Sequence, residues 1–358
     1  MNLRKIRTNA INFINKFRFY ANAKQVEKYA KEQIKKGNCY IGSDEEYNKK
    51  IIPFWSKYGI KPKKFWFQYY GQKLGEFNPY VIPGDMFQKE LLPFLNNHSV
   101  QDTLENKLYF DMILYDIKKP INYVKYVNGI YLDNDYHLIS REQAIEAIRG
   151  VDRVIAKPID DSRGNSVKIV NVKDDFDKAW EYIDKNYGHR EYILQEVVKQ
   201  SPQLEKYNPT SVNTLRIISL IVNGKVEILS SIVRVGAEGA EIDNYSKGGD
   251  ARPIQNPEGT LKGFMIYPKG FSKTDTKGNP IGFDKIIGYE KVIEEIKKYH
   301  PRFPHLRWIG WDFAIDENYE PVLIELNGAA GDNQKSDGPM FKEFTEIILD
   351  EYFASKNK

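Results

Sequence analysis

The sequence predicts an α+β fold, in which helices are mixed with strands that pair as antiparallel hairpins. The strongest strand signal lies at residues 214–235, where two apolar runs flank Asn223-Gly224, a dipeptide that favours a tight hairpin turn. Two further apolar runs, WIGWDFAID and PVLIEL, enclose the polar turn DENYE near the C-terminus. A helix is predicted after Ser140, because Gln143 stands where a capping box requires it. The frequent hairpins argue against a doubly wound parallel sheet.

The N-terminal third is predicted to be mainly helical. Residues 1–36 carry apolar side chains at about helical spacing, and Gly37 is placed to end that helix. The stretch at 61–87 is rich in proline and aromatic residues and is predicted to be irregular, with its Trp and Phe side chains packing a small domain. Further helices are predicted at residues 45–58, 87–95 and 104–117.

Beyond residue 120, apolar runs predict a series of short strands. The predicted strands are INYVKYV, GIYLD, VIAKPI, SVKIVNV and YILQEVV, followed by the two hairpins already described. Helical spacing is evident in DDFDKAWEYIDKN and GYEKVIEEIKKYH, and a last helix is predicted to end the chain. No internal repeat or low-complexity tract interrupts this pattern.

The composition is that of an ordinary globular protein. The chain has 358 residues, of which 41% are apolar and 28% are charged, so two or three domains are expected. The single cysteine, Cys39, excludes an internal disulfide framework. There is no run of about 18 apolar residues and no apolar signal-peptide core. These features predict a cytoplasmic protein.

The net charge of +4 is distributed unevenly. Residues 1–36 contain ten Lys or Arg residues against Glu27 and Glu32, a local charge of +8, which leaves −4 for the remainder. A basic amphipathic helix can lie on an anionic membrane surface, whereas the alternative is an ordinary helix with a solvated basic face. No motif that combines basic and stacking residues accompanies the charge, so nucleic-acid binding is not expected.

Two acidic residues are placed to meet across the last predicted hairpin. If the hairpin closes symmetrically about the midpoint of residues 318 and 319, Asp312 lies directly opposite Glu325. Asn327 points to the same face as Glu325, because strand side chains alternate. Facing carboxylates repel each other, and a divalent cation such as Mg²⁺ with oxygen ligands removes that penalty. The alternative is a solvated acidic hairpin, which the apolar neighbours disfavour.

A strand, loop and strand at residues 154–170 carry a second polar group. Lys157 interrupts an apolar strand, where its ammonium needs an anionic partner. The loop DDSRGN is small and polar around Gly164, and its backbone N–H groups can donate to phosphate oxygens, as can Ser162, Asn165 and Ser166. Together with the acidic hairpin, this segment predicts a site for ATP and Mg²⁺. A plain hairpin turn is the alternative for the loop alone.

In combination, these motifs resemble the ATP-grasp superfamily over about residues 104–345. Lys107 in LENKLYFD is similar to the first ATP lysine of that family, with Asn106 where an aspartate is often found, and Lys157 resembles the second. The segment LQEVV resembles the hinge strand that meets adenine, and TLRIISLIVNGKVEILSSIVR and DNYSKGG resemble the ribosomal-protein glutamate ligases. NPTSVNTLRI, IPGDMF and LENK look most like the sugar-transfer-associated group, which is linked to capsule and cell-surface polysaccharide biosynthesis.

The resemblance implies a role for each matching residue. Asp312, Glu325 and Asn327 fall on the family's metal ligands. The implied catalytic residues are Arg216, Arg234 and Lys247, with the two arginines facing phosphate or carboxylate groups. The implied ATP-binding residues are Lys107, Lys157, Ser162, Gly164, Asn165, Ser166, Gln195, Glu196, Val198 and Asn244. The ribose-binding acid of the family has no clear equivalent, and Glu205 is the candidate.

The resemblance also implies an ATP-grasp fold, in which two α+β subdomains grip ATP behind a helical, aromatic-rich N-terminal region. The implied parts are residues 1–103, residues 104–195 with the phosphate loop, and residues 196–358 with the metal site. The implied activity is an ATP- and Mg²⁺-dependent ligase that joins a small-molecule carboxylate to an amine. A uronic acid of a surface glycan and an amino acid are the expected substrates, at the inner face of the membrane if the basic N-terminus contacts lipid.

Two other functions could use the same nucleotide site. One is a phosphotransferase that acts on a hydroxyl group of a sugar or other small molecule. The other is a nucleotide-binding partner of a glycosyltransferase without chemistry of its own, which the presence of both lysines and all three metal ligands disfavours. No Ser-His-Asp or Cys-His set is evident among the five scattered histidines. The glycine motifs GxxxxGK[ST] and GxGxxG are absent as well.

Overall fold

The computed structural model describes residues 3–159, 166–243, 248–267, 270–275, 277–331 and 333–356, with the side chains of the first helix described from residue 18 onward. Helices and strands are mixed throughout this part of the chain, which confirms the predicted α+β class. Each described pairing between named strands is antiparallel, so the frequent hairpins of the sequence are borne out.

The N-terminal third is helical, as predicted. It contains α1 (Leu3–Lys35), α2 (Asp44–Lys50), α3 (Ile52–Ser56), α4 (Lys64–Leu74), α5 (Gly84–Met86), a π-helical turn (Phe87–Leu91), α6 (Leu92–Leu95), α7 (His98–Glu105) and α8 (Lys107–Ile113). After α1, Gly37 has a φ of 80°, a left-handed conformation that glycine adopts readily and that ends the helix as predicted. In the described ranges we find no helix with the length and apolar character needed to cross a bilayer.

The remaining helices are shorter and lie between or after strands. They are α9 (Arg141–Glu146), α10 (Phe176–Tyr187), α11 (Pro202–Glu205), α12 (Tyr289–Tyr299), α13 (Gln334–Asp337) and α14 (Thr345–Lys356), with 3₁₀ turns at His300–Arg302 and Lys342–Phe344. The predicted capping box is confirmed, because Ser140 accepts from the Gln143 backbone while the Gln143 side chain accepts from the Ser140 backbone.

The described strands form two sheets. The smaller sheet has the order β3-β2-β1-β6-β4-β5. Its strands are β1 (Asn122–Val127), β2 (Ile130–Leu132), β3 (Leu138–Ile139), β4 (Arg153–Pro158), β5 (Lys168–Asn171) and β6 (Tyr192–Glu196). The larger sheet has the order β12-β11-β9-β8-β7-β13-β14, with β10 paired to β9. Its strands are β7 (Thr214–Val222), β8 (Lys225–Val235), β9 (Asp250–Gln255), β10 (Thr260–Leu261), β11 (Met265–Tyr267), β12 (Gly270–Ser272), β13 (Trp308–Ile315) and β14 (Pro321–Asn327).

The structure corrects three predictions about the N-terminal third, one of an irregular stretch and two of single helices. The stretch at 61–87 is not irregular throughout, because it contains α4. This helix buries four aromatic side chains, Trp66, Phe67, Tyr69 and Tyr70, and it ends at Gly75 in a left-handed conformation. The single helix predicted at 104–117 is two helices, since Asn106 leaves the helical conformation and caps α8 by accepting from the Leu108 N–H. The helix predicted at 45–58 is likewise divided into α2 and α3.

The N-terminal helices and the C-terminal helix share one hydrophobic core. Trp66 and Phe87 belong to the same buried cluster as Trp308 and Leu349, and each of these side chains is at most 1% exposed. The Phe87 and Trp308 rings meet edge to face, with centroids 5.3 Å apart. A second core lies between the large sheet and α12, and a third packs the small sheet on α10. The aromatic residues of the N-terminal third therefore pack against the C-terminal part of the chain as well as on each other.

Candidate functional site

The last hairpin brings the predicted metal ligands together. Strands β13 and β14 pair Asp312 with Glu325, as the sequence predicts. Asn327 lies two residues beyond Glu325, and its Nδ2 donates to Asp312 Oδ2 at 3.4 Å. The three polar side chains therefore meet at one corner of the large sheet, even though the strands that carry them are otherwise apolar.

The hairpin reaches this pairing through a β-bulge that the sequence analysis did not foresee. Near the turn Phe313 pairs with Leu323, so the strands do not close symmetrically about residues 318 and 319, and that part of the prediction is wrong. Ile324 is the extra residue that shifts the register by one position. Because side chains alternate along a strand, this shift decides which residue of β14 faces Asp312.

Asp312 is bound by two arginines from neighbouring strands. Its side chain is 5% exposed. Arg216 lies directly across from it on β7 and donates from Nε at 2.5 Å and from a terminal nitrogen at 2.7 Å, a bidentate ion pair. Arg234 on β8 donates to the same carboxylate at 3.3 Å. The two arginines that the sequence assigns to phosphate or carboxylate binding therefore converge on the predicted metal corner.

A third carboxylate, that of Asp243, compensates the positive charge at this corner. It lies 3.6 Å from Arg234 and accepts from the backbone N–H and the hydroxyl of Thr214. Burial raises the pKa of Asp243. Burial also opposes the charge of Arg234, but the three surrounding carboxylates raise its pKa, so the guanidinium stays charged. No sequence pattern marks Asp243, which directly precedes Asn244, a predicted ATP-binding residue.

The donor set of the corner fits a magnesium ion shared with a phosphate ligand. Among the described residues, no side chain donates a hydrogen bond to Glu325. Two carboxylates and one amide oxygen are hard ligands of the kind that Mg²⁺ accepts beside substrate phosphates. The described ranges contain no group of three or more His, Cys, Asp and Glu side chains that could hold a metal. Both oxygens of Asp312 accept from Arg216, so a cation at this corner would share that carboxylate with the arginine.

Lys157 is buried in the small sheet, as its apolar strand predicts. It is 7% exposed, and its ammonium donates to Gln195 Oε1 at 2.7 Å. Gln195 donates in turn to Asn122 Oδ1 at 2.7 Å, and Asn122 donates to Asp111 at 3.5 Å. Burial lowers the pKa of Lys157 to about 8, and the positive charge of Lys107 adds to this effect. The ammonium is held by an amide oxygen, a neutral acceptor that an anionic ligand could replace.

Lys107 shares a cavity with Lys157 between the two sheets. Its ammonium lies 3.4 Å from the Ile159 carbonyl oxygen, to which it donates. The cavity has a volume of about 10 Å³ and is also lined by Gln195 and by Ile324 of the bulge. This space is close to the minimum for one water molecule, so a nucleotide could bind there only after the surrounding side chains moved apart.

A buried charged network beneath Lys157 was missed by the sequence analysis. Asp111 on α8 accepts from Lys119 at 2.8 Å and from the Tyr136 hydroxyl at 2.8 Å. Lys125, which is fully buried, lies 3.4 Å from the same carboxylate and 3.5 Å from the centroid of the Tyr136 ring. Although burial opposes its charge, these partners hold the pKa of Asp111 below its usual value. Lys125 stands in an apolar strand, as Lys157 does, and that pattern was the available signal.

We expect Asp111→Asn to lower the free energy of unfolding by about 3–5 kcal/mol, because Lys119 and Lys125 would lose their anionic partner. Lys125 is fully buried, so water cannot replace that partner. Urea denaturation at neutral pH measures this loss. In the wild-type protein the same contribution should disappear as the pH falls through the lowered pKa of Asp111. Asp102→Asn is the control, since its pair with Arg18 is exposed and should contribute at most about 1 kcal/mol. Equal losses in the two variants would contradict this assignment.

Glu105 at the end of α7 anchors the loop that follows the metal corner. Its Oε1 accepts from the backbone N–H groups of Gly328 and Ala329, the latter at 2.9 Å. Gln101 donates to the same oxygen at 2.9 Å. Burial raises the pKa of Glu105. Since Asn327 directly precedes this loop, Glu105 fixes the backbone that carries one of the proposed metal ligands, a link between distant residues that no local pattern reveals.

We expect Glu105→Ala to lower the free energy of unfolding by about 2–4 kcal/mol, because the N–H groups of Gly328 and Ala329 would lose their acceptor. Glu105→Gln is the matched control, since its amide oxygen can still accept and the loss should be clearly smaller. Urea denaturation of the two variants and the wild-type protein gives the comparison. A larger loss in the Gln variant than in the Ala variant would show that the charge, rather than the two hydrogen bonds, matters.

The remaining predicted ATP-binding residues lie at the ends of strands or outside the described residues. Glu196 closes β6, where its carboxylate accepts from the Ile121 N–H at 3.0 Å, and Val198 is half-buried two residues later. The Ser166 carbonyl accepts from the Tyr187 hydroxyl at 2.8 Å. Glu205, the candidate ribose ligand, is exposed. The predictions that fall outside the described residues concern Ser162, Gly164, Asn165, Asn244 and Lys247.

Comparison with solved structures finds similar chains among ligases and carboxylases. D-alanyl-alanine synthetase A from Vibrio cholerae is 16% identical, with 71% of this chain and 67% of that chain covered and a TM-score of 0.42. L-amino acid ligase from Bacillus licheniformis is 12% identical, with 70% of this chain and 48% of that chain covered and a TM-score of 0.39. Biotin carboxylase from Campylobacter jejuni is 12% identical, with 71% of this chain and 47% of that chain covered and a TM-score of 0.44. This chain thus spans about half the length of the latter two proteins.

A search of curated proteins gives no significant match. The family model described as sugar-transfer associated ATP-grasp, in contrast, matches residues 86–334, well over half of the chain. The match includes both lysines, both arginines and all three residues of the metal corner. It begins upstream of the predicted residue 104 and takes in the end of the aromatic-rich N-terminal region. The chain therefore belongs to the sugar-transfer associated ATP-grasp family.

Proposed function

We propose that this protein is an ATP-dependent ligase that joins a carboxylate to an amine through an acyl phosphate. The observation that supports this function most directly is the meeting of two carboxylates and two arginines at one corner of the large sheet. Glu325 and Asp312 supply negative charge for a metal ion, while Arg216 and Arg234 supply positive charge for a phosphate or carboxylate group. Such a mixed site suits phosphoryl transfer, in which positioning and electrostatic stabilisation provide most of the catalysis.

Each residue has a specific role in this proposal. A magnesium ion bound by Asp312, Glu325 and Asn327 would neutralise charge on the β- and γ-phosphates of ATP. Arg234 neutralises charge on the transferred phosphate. Arg216, with its planar fork of donors, orients the carboxylate that is activated or the acyl phosphate that forms.

The small sheet supplies the other half of the nucleotide site. Lys157 and Lys107 bind the phosphates on the side away from the metal corner. When the nucleotide binds, a phosphate oxygen replaces Gln195 as the acceptor of the hydrogen bond from the Lys157 ammonium. Glu196, which ends β6, and Val198, two residues after it, are assigned to the base. From the family resemblance, we assign Ser162, Gly164, Asn165 and Ser166 to binding of the phosphates, Asn244 to binding of ATP, and Lys247 to catalysis.

The reaction proceeds in two steps. An oxygen of the acid attacks the γ-phosphorus of ATP, the bond to the bridging oxygen breaks, and ADP leaves. The amine then attacks the acyl carbon, the acyl C–O bond breaks, and phosphate leaves as the amide forms. The amine must lose a proton in this step. A uronic acid and an amino acid are the substrates that we propose, because the family is associated with sugar transfer.

Release of ADP and phosphate provides the test. The purified protein is mixed with ATP and Mg²⁺ and screened against pairs of uronic-acid sugars and amino acids. An acid labelled with heavy oxygen in its carboxylate should pass one labelled oxygen to the released phosphate, because the acyl phosphate places that oxygen on phosphorus. Phosphate that stays on the acceptor, with no free phosphate, would instead identify a phosphotransferase acting on a hydroxyl group.

We also propose that the basic N-terminal helix places this reaction at the inner face of a membrane. The described part of α1 exposes Tyr20 and Tyr29 beside its lysines, and Lys24 lies 4.7 Å from the centroid of the Tyr20 ring. Interfacial aromatic and basic side chains favour anionic lipid surfaces. Co-sedimentation with vesicles that contain anionic lipid, compared with neutral vesicles at the same salt concentration, tests the contact. Equal recovery from both would exclude it.

A further inference from the structure

A cluster of lysines surrounds one buried carboxylate away from the metal corner. Asp337 in α13 has a side chain that is 5% exposed and lies 2.5 Å from the ammonium of Lys262. Lys73 of α4 donates to the carbonyl oxygen of the preceding Ser336 at 2.7 Å. Lys342, which follows a few residues later, is half-buried and interacts electrostatically with both Asp337 and Lys262. Three elements distant in sequence thus contribute a lysine to one place.

The cluster has more positive than negative charge among the residues described. Asp337 balances Lys262, whereas Lys73 and Lys342 have no ion-pair partner among the described residues. Burial lowers the pKa of Lys73 to about 8, with a further contribution from Lys262. Burial likewise lowers the pKa of Lys342. Ammonium groups that destabilise one another in this way are stabilised when an anion binds between them.

The cluster lies on the same face of the large sheet as the metal corner. Ser230 on β8 donates to Asp337, and it also accepts from Asn333 Nδ2 at 2.6 Å. The register of β8 is regular from Ser230 to Arg234, so these two side chains point to the same face. The two residues are four steps apart along the strand, a backbone separation of about 13 Å at roughly 3.3 Å per residue.

An apolar floor connects the two charged places. Ile232, which lies between Ser230 and Arg234 on β8, packs with Ala251 and Ile266 of the neighbouring strands. Phe264 packs against this cluster, and the Lys73 ammonium lies 3.7 Å from the centroid of its ring. The cation–π contact and the short distance to Ser336 hold Lys73 at the end of the floor. A ligand that reaches from Arg234 to the lysines would therefore cross an apolar surface.

We propose that Lys73, Lys262 and Lys342 bind a second anionic group on the acid substrate, whose reacting carboxylate lies at the metal corner, where Arg216 orients it beside Arg234. This inference rests on the proposed ligase function and names the class of its acid. The substrate is an extended acid whose two negative groups lie at opposite ends of the apolar surface around Ile232, which separates the lysines from the metal corner. The distal group is a carboxylate or a phosphate, since both are recognised by ammonium groups.

The test compares short and long acids in the wild-type protein and in a double variant, Lys73→Ala with Lys342→Ala. The acids are a monouronate, a triuronate and a uronate that carries a distal phosphate. Binding is measured by calorimetry, and KM for each acid is measured by ADP release. In the wild-type protein we expect at least one long acid to bind more tightly than the monouronate. The double variant should weaken that acid about 10–100-fold, or roughly tenfold for each lost ion pair of about 1.4 kcal/mol.

The same variant should leave the KM for ATP and for the monouronate unchanged. Lys297→Ala provides the matched control, because this exposed lysine lies on α12 at the other face of the large sheet. Lys342→Arg in place of Lys342→Ala should recover about tenfold in affinity for the long acid, since it restores one of the two charges. Unequal binding of the two long acids identifies the distal group.

Equal affinity of the long acids and the monouronate for the wild-type protein would overturn the inference. So would a double variant that weakens all three acids to the same extent, or none of them. The calorimetric result is independent of turnover. If the long acid binds through the lysines while no acid supports ADP release, the subsite stands and the proposed ligase function fails.

Discussion

Glu325→Gln is expected to lower kcat for ADP release about 10²–10³-fold, the magnitude typical of losing one electrostatic contact to the transition state. The substitution keeps the size and hydrogen-bonding capacity of the side chain but removes one of the two carboxylates that face each other in the hairpin. Because no described side chain donates a hydrogen bond to Glu325, the substitution removes only electrostatic attraction, such as that to Arg234, which Asp243 and Asp312 also provide. The free energy of unfolding should therefore change by less than about 1 kcal/mol.

The matched control for this variant is Glu320→Gln in the same hairpin. Glu320 pairs with Lys291 at the surface, where an ion pair contributes little, and it is remote from the arginines. Turnover of this variant should match the wild-type protein. A Glu325→Gln protein with wild-type kcat and wild-type dependence on Mg²⁺ would remove Glu325 from the proposed site.

Lys157→Met is expected to raise the KM for ATP about 10–100-fold, because a charged hydrogen bond to phosphate contributes about 1.5–3 kcal/mol. The wild-type protein should also show a characteristic pH dependence. Lys157 has a pKa of about 8 before ATP binds, so above this pH the amine is increasingly neutral and affinity for ATP should fall. The pH profile of KM for ATP, measured from about pH 6.5 to 9.5, should be flatter in the variant.

Lys168→Met is the control for that experiment, since Lys168 is exposed on the neighbouring strand β5. It should keep both the wild-type KM for ATP and the fall in affinity at alkaline pH. If Lys157→Met shows the same alkaline fall as the wild-type protein, another group is responsible and the assignment of Lys157 to the nucleotide phosphates must be rejected.

Strand alternation made the metal corner predictable from the sequence. Asp312, Glu325 and Asn327 stand in apolar strands on either side of a short polar turn, and the period of two residues places them on one face. The bulge at Ile324 could not be predicted, because the residue that is left unpaired carries no local mark. The correct pairing of Asp312 with Glu325 thus occurs in a hairpin whose register shifts by one residue between Asp312 and the turn.

Hydrogen bonds between buried polar groups that are far apart in sequence could not be predicted from the sequence. Lys157 was identified because a lysine is unusual in an apolar strand, but its partner Gln195 is 38 residues away in sequence. Glu105 and Gly328 are separated by 223 residues. Such pairs depend on the assembled tertiary structure, which periodicity and composition do not encode. Helix α4 was missed for a related reason, since tertiary packing of its aromatic side chains outweighs their weak helical preference.

The core shared by the two ends of the chain has a consequence for biosynthesis. The surfaces that cover Trp66 and Phe87 include Trp308 and Leu349, which are synthesised more than about 200 residues later. At a usual elongation rate of about 5–20 residues per second, these aromatic side chains wait on the order of ten seconds or more for their partners. During that interval the nascent protein exposes an apolar surface, so chaperones that bind nascent chains should engage the segment around Trp66 and Phe87 until Leu349 has been synthesised.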